Sequence, residues 1–160
     1  MVDSGTSGTL EPAAVFQPQA DDEVVESTVR SGLERVVYTT LNRLVCLMRT
    51  DDLVWAADFE PRSDVRHGHR PGCALSLNGW TVWVYRPDAM AGRGGADQWT
   101  VHDADNGAVL ARWELETVGH GAEHHVHPRE GSVYLDIGEG QDGPASCSEA
   151  RSGLPASRIL

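Results

Sequence analysis

Lysine is absent from this chain of 160 residues, and all 13 basic residues are arginine. We attribute that bias mainly to GC-rich coding, so it indicates no particular function. With 24 acidic residues the net charge is −11. Such a surface repels phosphates, so we expect neither nucleic acid nor an anionic membrane as a partner.

Cysteines and long apolar runs are also scarce. The three cysteines (Cys46, Cys73 and Cys147) are widely spaced and form no C-x-x-C pair, so neither a zinc knuckle nor a disulfide framework is indicated. No run of 18 apolar residues is present, which excludes a membrane-spanning helix. The N-terminus lacks a basic region followed by an apolar one, so no secretory signal is expected and the predicted location is cytoplasmic.

The two ends of the chain lack any regular spacing of apolar residues. Residues 1–22 are acidic and rich in Ser, Gly, Pro and Ala, and we expect them to be disordered. Residues 144–160 have the same character and are predicted to be a flexible tail. A second interpretation of the tail is that the reading frame changes near Gly143 and the natural continuation was lost. The folded domain is therefore predicted to span residues 23–143.

The region between these ends is predicted to be all-β and antiparallel, because short β-branched and aromatic segments alternate with polar turns. Asn78-Gly79 gives the strongest hairpin signal. Residues 23–40 fit either a helix or strands, and their Val and Thr content together with Gly32 favours strands. The five tryptophans fall on predicted strands, which favours core packing between sheets. The predicted strands are 35–41, 43–50, 53–60, 73–77, 80–86, 98–104, 108–116, 124–128 and 132–138.

The chain also contains an internal repeat. Gly79 aligns with Gly131, and Val82-Trp83-Val84 aligns with Val133-Tyr134-Leu135, at an offset of about 52 residues. Repeats of ~40–50 residues with four strands each are the mark of β-propellers. The period therefore predicts antiparallel four-stranded blades.

Several short motifs in this repeat resemble those of WD-repeat propellers. A Gly-His dipeptide opens both units, the turn Ser76 to Gly79 is similar to the family's first turn, and His102-Asp103 stands where the family has Trp-Asp. The resemblance implies that the Gly-His histidine is structural and bonds an Asp near the third strand. In this chain the implied pairs are His69 with Asp97 and His120 with Asp142.

The number of predicted strands is too small for a closed ring. Residues 41–60 resemble the last two strands of one blade, 68–116 a full blade, and 119–138 the first two strands of another. This makes about two blade equivalents, whereas closed propellers have about four to eight blades. We therefore expect an incomplete propeller, either a fragment of a longer protein or a chain that associates through its open sheet edges.

The resemblance implies a non-catalytic module that binds a protein partner of unknown identity or a ligand, with no cofactor. No catalytic constellation has a recognisable sequence context, although spatial neighbours are invisible in sequence. A second hypothesis is a cupin-like metal-binding protein or metal-dependent enzyme. In it, His125 and His127, two residues apart on a strand, would bind Zn, Fe or Mn together with Glu130. No histidine follows His127 to complete the second cupin motif.

Overall fold

The computed structural model describes residues 11–65 and 69–138, and the backbone of residues 146–150. Within these ranges the chain forms three antiparallel sheets. The first sheet contains β1 (Glu26–Val29), β2 (Arg35–Thr39), β3 (Arg43–Met48) and β4 (Leu53–Asp58). The second contains β5 (Gly72–Leu75), β6 (Thr81–Arg86), β7 (Gln98–Asp103) and β8 (Val109–Glu114). The third contains β9 (Gly121–Val126), β10 (Val133–Gly138) and β11 (Ser146–Ala150).

Each sheet is a meander whose strands are hydrogen-bonded in chain order. The sheets meet along their first strands, because β1 contacts β5 and β5 contacts β9. In the first two sheets the last strand, β4 or β8, forms the opposite edge. The sheets are therefore arranged as successive blades that share an inner side. Over the described ranges, no helix is long and apolar enough to cross a membrane.

Strand β6 shows how the middle sheet joins both neighbours. Successive side chains of a strand point to opposite faces. Val82 and Val84 pack in the core shared with the first sheet, whereas Trp83 and Tyr85 pack in the core shared with the third. All four side chains are buried, which is why this segment is a nearly continuous apolar run rather than an alternating one.

The first sheet also buries residues on the face turned away from the second sheet. Val36, Tyr38, Val45 and Leu47 form a separate cluster there, which we name the outer-face cluster, and Phe16 packs against it. Phe16 belongs to the segment 1–22 that was expected to be disordered. The described part of that segment, residues 11–22, lies on the first sheet without forming a strand of its own.

The structure extends the predicted set of strands at both ends. Residues 23–40, for which strands were favoured, form β1 and β2, joined by a turn in which Gly32 has a φ of +98°. The first sheet therefore has four strands, whereas the blade count assigned to it only the two in residues 41–60. In the expected flexible tail, the backbone of β11 pairs with β10. The described strands thus make two four-stranded sheets and one of three strands.

The Asn78-Gly79 turn lies where the hairpin signal placed it, but it differs from the two-residue turn that Asn-Gly commonly forms. Only Gly79 has a positive φ, +71°, so the turn is not a two-residue hairpin with two left-handed residues. The Asn78 side-chain oxygen instead accepts hydrogen bonds from the Ser76 hydroxyl and the Trp80 backbone N–H. Asn therefore stabilises this turn through its side chain.

Candidate functional site: a polar cavity at the end of the first sheet

A polar cavity of about 420 Å³ lies at one end of the first sheet. Its wall combines three stretches of chain: the segment before β1, the turn between β2 and β3, and the connection from the first to the second sheet. We name it the loop-end cavity. Its lining residues are Ala20, Asp21, Asp22, Glu23, Val25, Thr40, Leu41, Asn42, Arg43, Arg62 and His69.

Asp22 fixes the first stretch of this wall. Its carboxylate accepts a hydrogen bond from the Tyr38 hydroxyl at 2.6 Å and pairs with the Arg43 guanidinium at 2.8 Å. The hydrogen bond to Asp22 raises the pKa of Arg43, and burial raises the pKa of Tyr38. The end of the expected disordered segment is therefore bound to the first sheet through a charged group, a partnership that composition alone does not reveal.

The turn between β2 and β3 forms the second stretch. The Thr40 hydroxyl oxygen accepts hydrogen bonds from the backbone N–H groups of Asn42 and Arg43. The Asn42 side chain bonds the backbone of Ser63 in both directions, as donor at 2.9 Å and acceptor at 2.7 Å. This wall is therefore held by hydrogen bonds before any ligand arrives.

His69 completes the lining from the third stretch. It is 5% exposed, and its Nε2 contacts the Val65 carbonyl oxygen. Because a carbonyl only accepts, Nε2 donates in this contact, and in a neutral imidazole Nδ1 is then the acceptor. Within the described ranges Nδ1 is buried and has no hydrogen-bond partner. A buried polar atom in that condition is costly and is satisfied when a ligand supplies a donor.

The charged side chains of the cavity carry both signs. Asp21, Glu23 and Arg62 are exposed to solvent, and Arg43 is already paired with Asp22. The cavity thus offers carboxylate acceptors, guanidinium donors and the imidazole acceptor of His69. This set suits a polar ligand with its own donors and acceptors, such as a peptide segment.

Asp97 has different partners from those that the resemblance implied. It is fully buried, and its carboxylate accepts hydrogen bonds from the Tyr85 hydroxyl, the Ala89 N–H and the Gly119 N–H at 2.8, 3.0 and 2.8 Å. Burial is the main cause that raises the pKa of Tyr85, and the hydrogen bond to Asp97 is the second. His69 bonds Val65 rather than Asp97, and the Asp97 carboxylate is instead satisfied by Tyr85, on the strand beside β7, and by two backbone N–H groups.

The second implied pair falls partly outside the described residues. Gly119 makes the bond to Asp97, whereas His120 is exposed and its backbone carbonyl accepts from the N–H of Arg70. Asp142 and Gly68 lie outside the described residues, so the His120–Asp142 pair stays a prediction. The Gly-His dipeptide at 119–120 thus joins the second and third sheets through its backbone.

The residues of the metal hypothesis lie near the turn between β9 and β10. His125 is exposed, with its Nε2 at 4.0 Å from a Glu123 carboxylate oxygen. His127 Nδ1 accepts the backbone N–H of Glu130 at 3.1 Å, so that nitrogen stabilises the turn. Among the described residues, no group of three or more His, Cys, Asp or Glu side chains is placed to hold a metal ion. The hypothesis stays a prediction without geometric support.

Sequence reasoning missed a buried ionic cluster in the loop between β6 and β7. Asp88 in this loop pairs with Arg86, at the end of β6, at 2.9 Å and with Arg93 at 3.5 Å. Arg93 also donates to the Leu41 carbonyl beside the loop-end cavity, and both guanidiniums lie over the Phe59 ring. Alternating charges in a Gly-rich loop resemble a solvated surface, so the sequence contains no clear signal of a buried ionic cluster.

The tryptophan prediction is confirmed for three of the five. Trp55, Trp83 and Trp99 are buried between sheets, whereas Trp80 and Trp113 are 52% and 40% exposed. The Trp99 indole N–H donates to His124 Nε2 at 3.2 Å, which links the second and third sheets. Burial, followed by the charge of neighbouring His125, lowers the pKa of His124 to about 4.

Comparison with known proteins gives structural matches only. No protein-family model matches the chain, and no curated protein matches its sequence. The WD40 domain of coronin from Toxoplasma gondii is similar with a TM-score of 0.55 and 10% identity, over 72% of this chain and 29% of that one. BamB from Moraxella catarrhalis is similar with a TM-score of 0.50 and 14% identity, over 76% and 33%.

The chain spans about a third of the length of these two structures. At such identities the likeness concerns the fold alone. The match agrees with the repeat in the sequence, the meander order of the strands and the contact of the sheets along their first strands. The chain therefore has the fold of an incomplete, WD-repeat-like β-propeller.

Proposed function

We propose that this chain is a non-catalytic interaction module that binds a polar peptide segment of a partner protein in the loop-end cavity. The observation that carries the proposal is the unpaired, buried Nδ1 of His69 in the cavity lining. A peptide N–H or a side-chain donor would satisfy this acceptor. The similar fold of the WD40 domain supports an interaction role only by analogy, because fold does not determine function.

The construction of the cavity supports the same function. Two of its three wall segments are held by hydrogen bonds within the protein, so little ordering cost would accompany binding. A volume of about 420 Å³ is within the range of pockets that take small ligands or a few side chains. Charges of both signs at its exposed positions would orient a segment that itself carries polar groups.

A displayed library of random peptides is the probe that tests this proposal. Peptides selected on the wild-type protein are measured by fluorescence anisotropy against Arg62→Ala, Glu23→Gln and His69→Ala. We expect each variant to weaken binding by about tenfold, which corresponds to about 1.4 kcal/mol. Arg62 and Glu23 are exposed, so these two substitutions leave the core intact.

Matched controls lie on the outer strand of the second sheet. Arg112→Ala and Glu114→Gln make the same chemical changes at exposed positions of β8 that do not line the cavity. Binding to these variants should equal that of the wild type. The proposed site would be contradicted by selected peptides that bind all three cavity variants as tightly as the wild type. A selection that yields no binder would contradict it as well.

A further inference from the structure

The two outer faces of the set of sheets have opposite chemical character. On the first sheet, the outer-face cluster of Val36, Tyr38, Val45 and Leu47 points away from the second sheet. On the third sheet, the side chains that alternate with the buried Val133, Leu135 and Ile137 occupy the outer face. They include Tyr134 and Asp136, and the strand register places His125 and Glu123 opposite them. One outer face is apolar and the other is polar and acidic.

Residues 13–22 lie across the apolar face, and we name them the strap. Phe16 is its apolar contact with the outer-face cluster. The other contacts are polar: the Gln17 N–H donates to the Asp51 carboxylate, the Arg49 guanidinium donates to the Ala13 carbonyl, and the Gln19 N–H donates to the Tyr38 hydroxyl. The first two of these bonds are solvent-exposed, so water can replace them at little cost.

The strap does not fill the face. An apolar groove of about 220 Å³ remains beside it, and at its border Val24 is 39% and Val29 is 42% exposed. The groove is lined by Phe16, Pro18, Val24, Ser27, Val29, Val36, Tyr38 and Leu47, none of which is charged. On a chain with a net charge of −11, this groove is therefore a surface at which two copies can meet without placing charged lining residues against each other.

We propose that the strap and a second copy of this chain compete for the apolar face of the first sheet. When the strap leaves, two outer-face clusters pack against each other about a two-fold axis, with the same surface on both chains. The acidic outer face of the third sheet is a poor partner because it would bury Glu123 and Asp136 against apolar side chains. We therefore expect a symmetric pair rather than a head-to-tail filament that joins these two outer faces.

This inference concerns the apolar face and residues 13–19 of the strap, whereas residues 20–22 line the loop-end cavity, and it goes beyond the proposed function. The association also differs from pairing between open sheet edges, because it joins the faces of two sheets through side chains. The strap ends at Asp22, which holds Tyr38 and Arg43. Release of residues 13–19 can therefore occur while this end of the strap remains bound.

Sedimentation velocity over a range of protein concentrations tests the competition. Phe16→Ala removes the apolar contact of the strap, and we expect the dimer dissociation constant to fall at least about tenfold. Val15→Ala is the matched control, because Val15 is the neighbouring strap residue and is 62% exposed. It should sediment like the wild type. A Phe16→Ala protein that stays monomeric at every concentration would overturn the proposal.

A second pair of substitutions tests where the dimer forms. In the Phe16→Ala background, Val29→Asp places a charge in the groove and should return the protein to monomer. Val109→Asp on β8 is the matched control, because Val109 is also about half exposed but lies outside the groove, and it should leave the dimer intact. Dimers that resist Val29→Asp would also overturn the proposal. If Phe16→Ala unfolds, the double variant Arg49→Ala, Asp51→Gly removes the side-chain partners of the exposed strap bonds and should shift the equilibrium in the same direction. Glycine also suits the φ of +65° at position 51.

Discussion

The buried carboxylate of Asp97 accepts the backbone N–H of Gly119 at 2.8 Å, which ties the beginning of β7 to the segment that leads into the third sheet. The same carboxylate oxygen accepts from the Tyr85 hydroxyl. A single buried acid thus connects two neighbouring sheets, and the chain must pass very close to Tyr85 for the bond to form. This closeness explains why glycine is required at position 119.

We predict that Gly119→Ala destabilises the protein. A Cβ at this position would overlap the Ile137 side chain and lie 2.6 Å from the Tyr85 hydroxyl oxygen, so the core has to shift. Overpacking of this kind costs about 1–3 kcal/mol. Gly121→Ala is the control, because its new Cβ would meet its nearest atom at 3.5 Å, an ordinary contact. Urea denaturation should separate the two, and equal free energies of unfolding would contradict the close approach.

The second prediction concerns the buried ionic cluster. Asp88→Ala leaves the guanidiniums of Arg86 and Arg93 buried without their carboxylate, which should lower the free energy of unfolding by about 3–5 kcal/mol. Asp105→Ala breaks an ion pair with Arg35, at 2.6 Å, but the Asp105 side chain is 75% exposed. We expect that control to lose at most about 1 kcal/mol. Thermal melts followed by circular dichroism would reveal the difference.

The third prediction is a pH dependence that originates at His124. Its pKa is about 4 in the folded protein and ordinarily 6.5, so the unfolded chain binds the proton more tightly. The contribution of this residue to stability is complete above pH 6.5 and is lost as the pH falls towards 4, by roughly 3 kcal/mol in total. Denaturation of the wild type at pH 7.5 and 4.5 measures the loss.

His124→Gln is the variant that isolates this group. Glutamine does not titrate, so the stability difference between variant and wild type should change between the two pH values. Burial also lowers the pKa of His102 and raises that of Glu26, but both groups are present in both proteins and cancel in the difference. A stability difference that is constant with pH would assign the pH dependence to other residues.

The fourth prediction concerns thiol reactivity. Cys46 and Cys73 are buried and free, and burial raises the pKa of Cys46 to about 11 and that of Cys73 still further. Since the thiolate is the reactive form, native protein should leave both residues unmodified by iodoacetamide at pH 8, while unfolded protein reacts at both. Peptide mapping by mass spectrometry distinguishes the sites. Rapid native labelling at Cys46 or Cys73 would show that the sheets open readily.

The sequence predicted the strands well because their physical signals are local. The described strands β2 to β10 lie within about two or three residues of the predicted segments, since β-branched runs and turn residues act over short distances. Residues 23–40 were harder to assign, because a Val-rich segment with charged residues fits both the helical and the strand period. There the tertiary contact of β1 with β5 decides for the strand.

The candidate site was much less accessible to sequence reasoning. Asp22, Arg43 and His69 are far apart in the chain and meet only because the first sheet brings them together. The family resemblance implied that Asp97 pairs with His69, whereas in the structure Asp97 bonds other groups. The actual partners include two backbone N–H groups, and no side-chain pattern encodes a backbone donor.

Because each described sheet consists of consecutive strands, each unit of about 50 residues forms its strand pairs within itself. The adjoining units then interact chiefly through one shared core on each side. In such linear arrays, energies add as terms for units and for the boundaries between them. Gain or loss of a whole unit therefore changes one boundary and leaves the remaining ones nearly intact, so this architecture can change its length in whole steps.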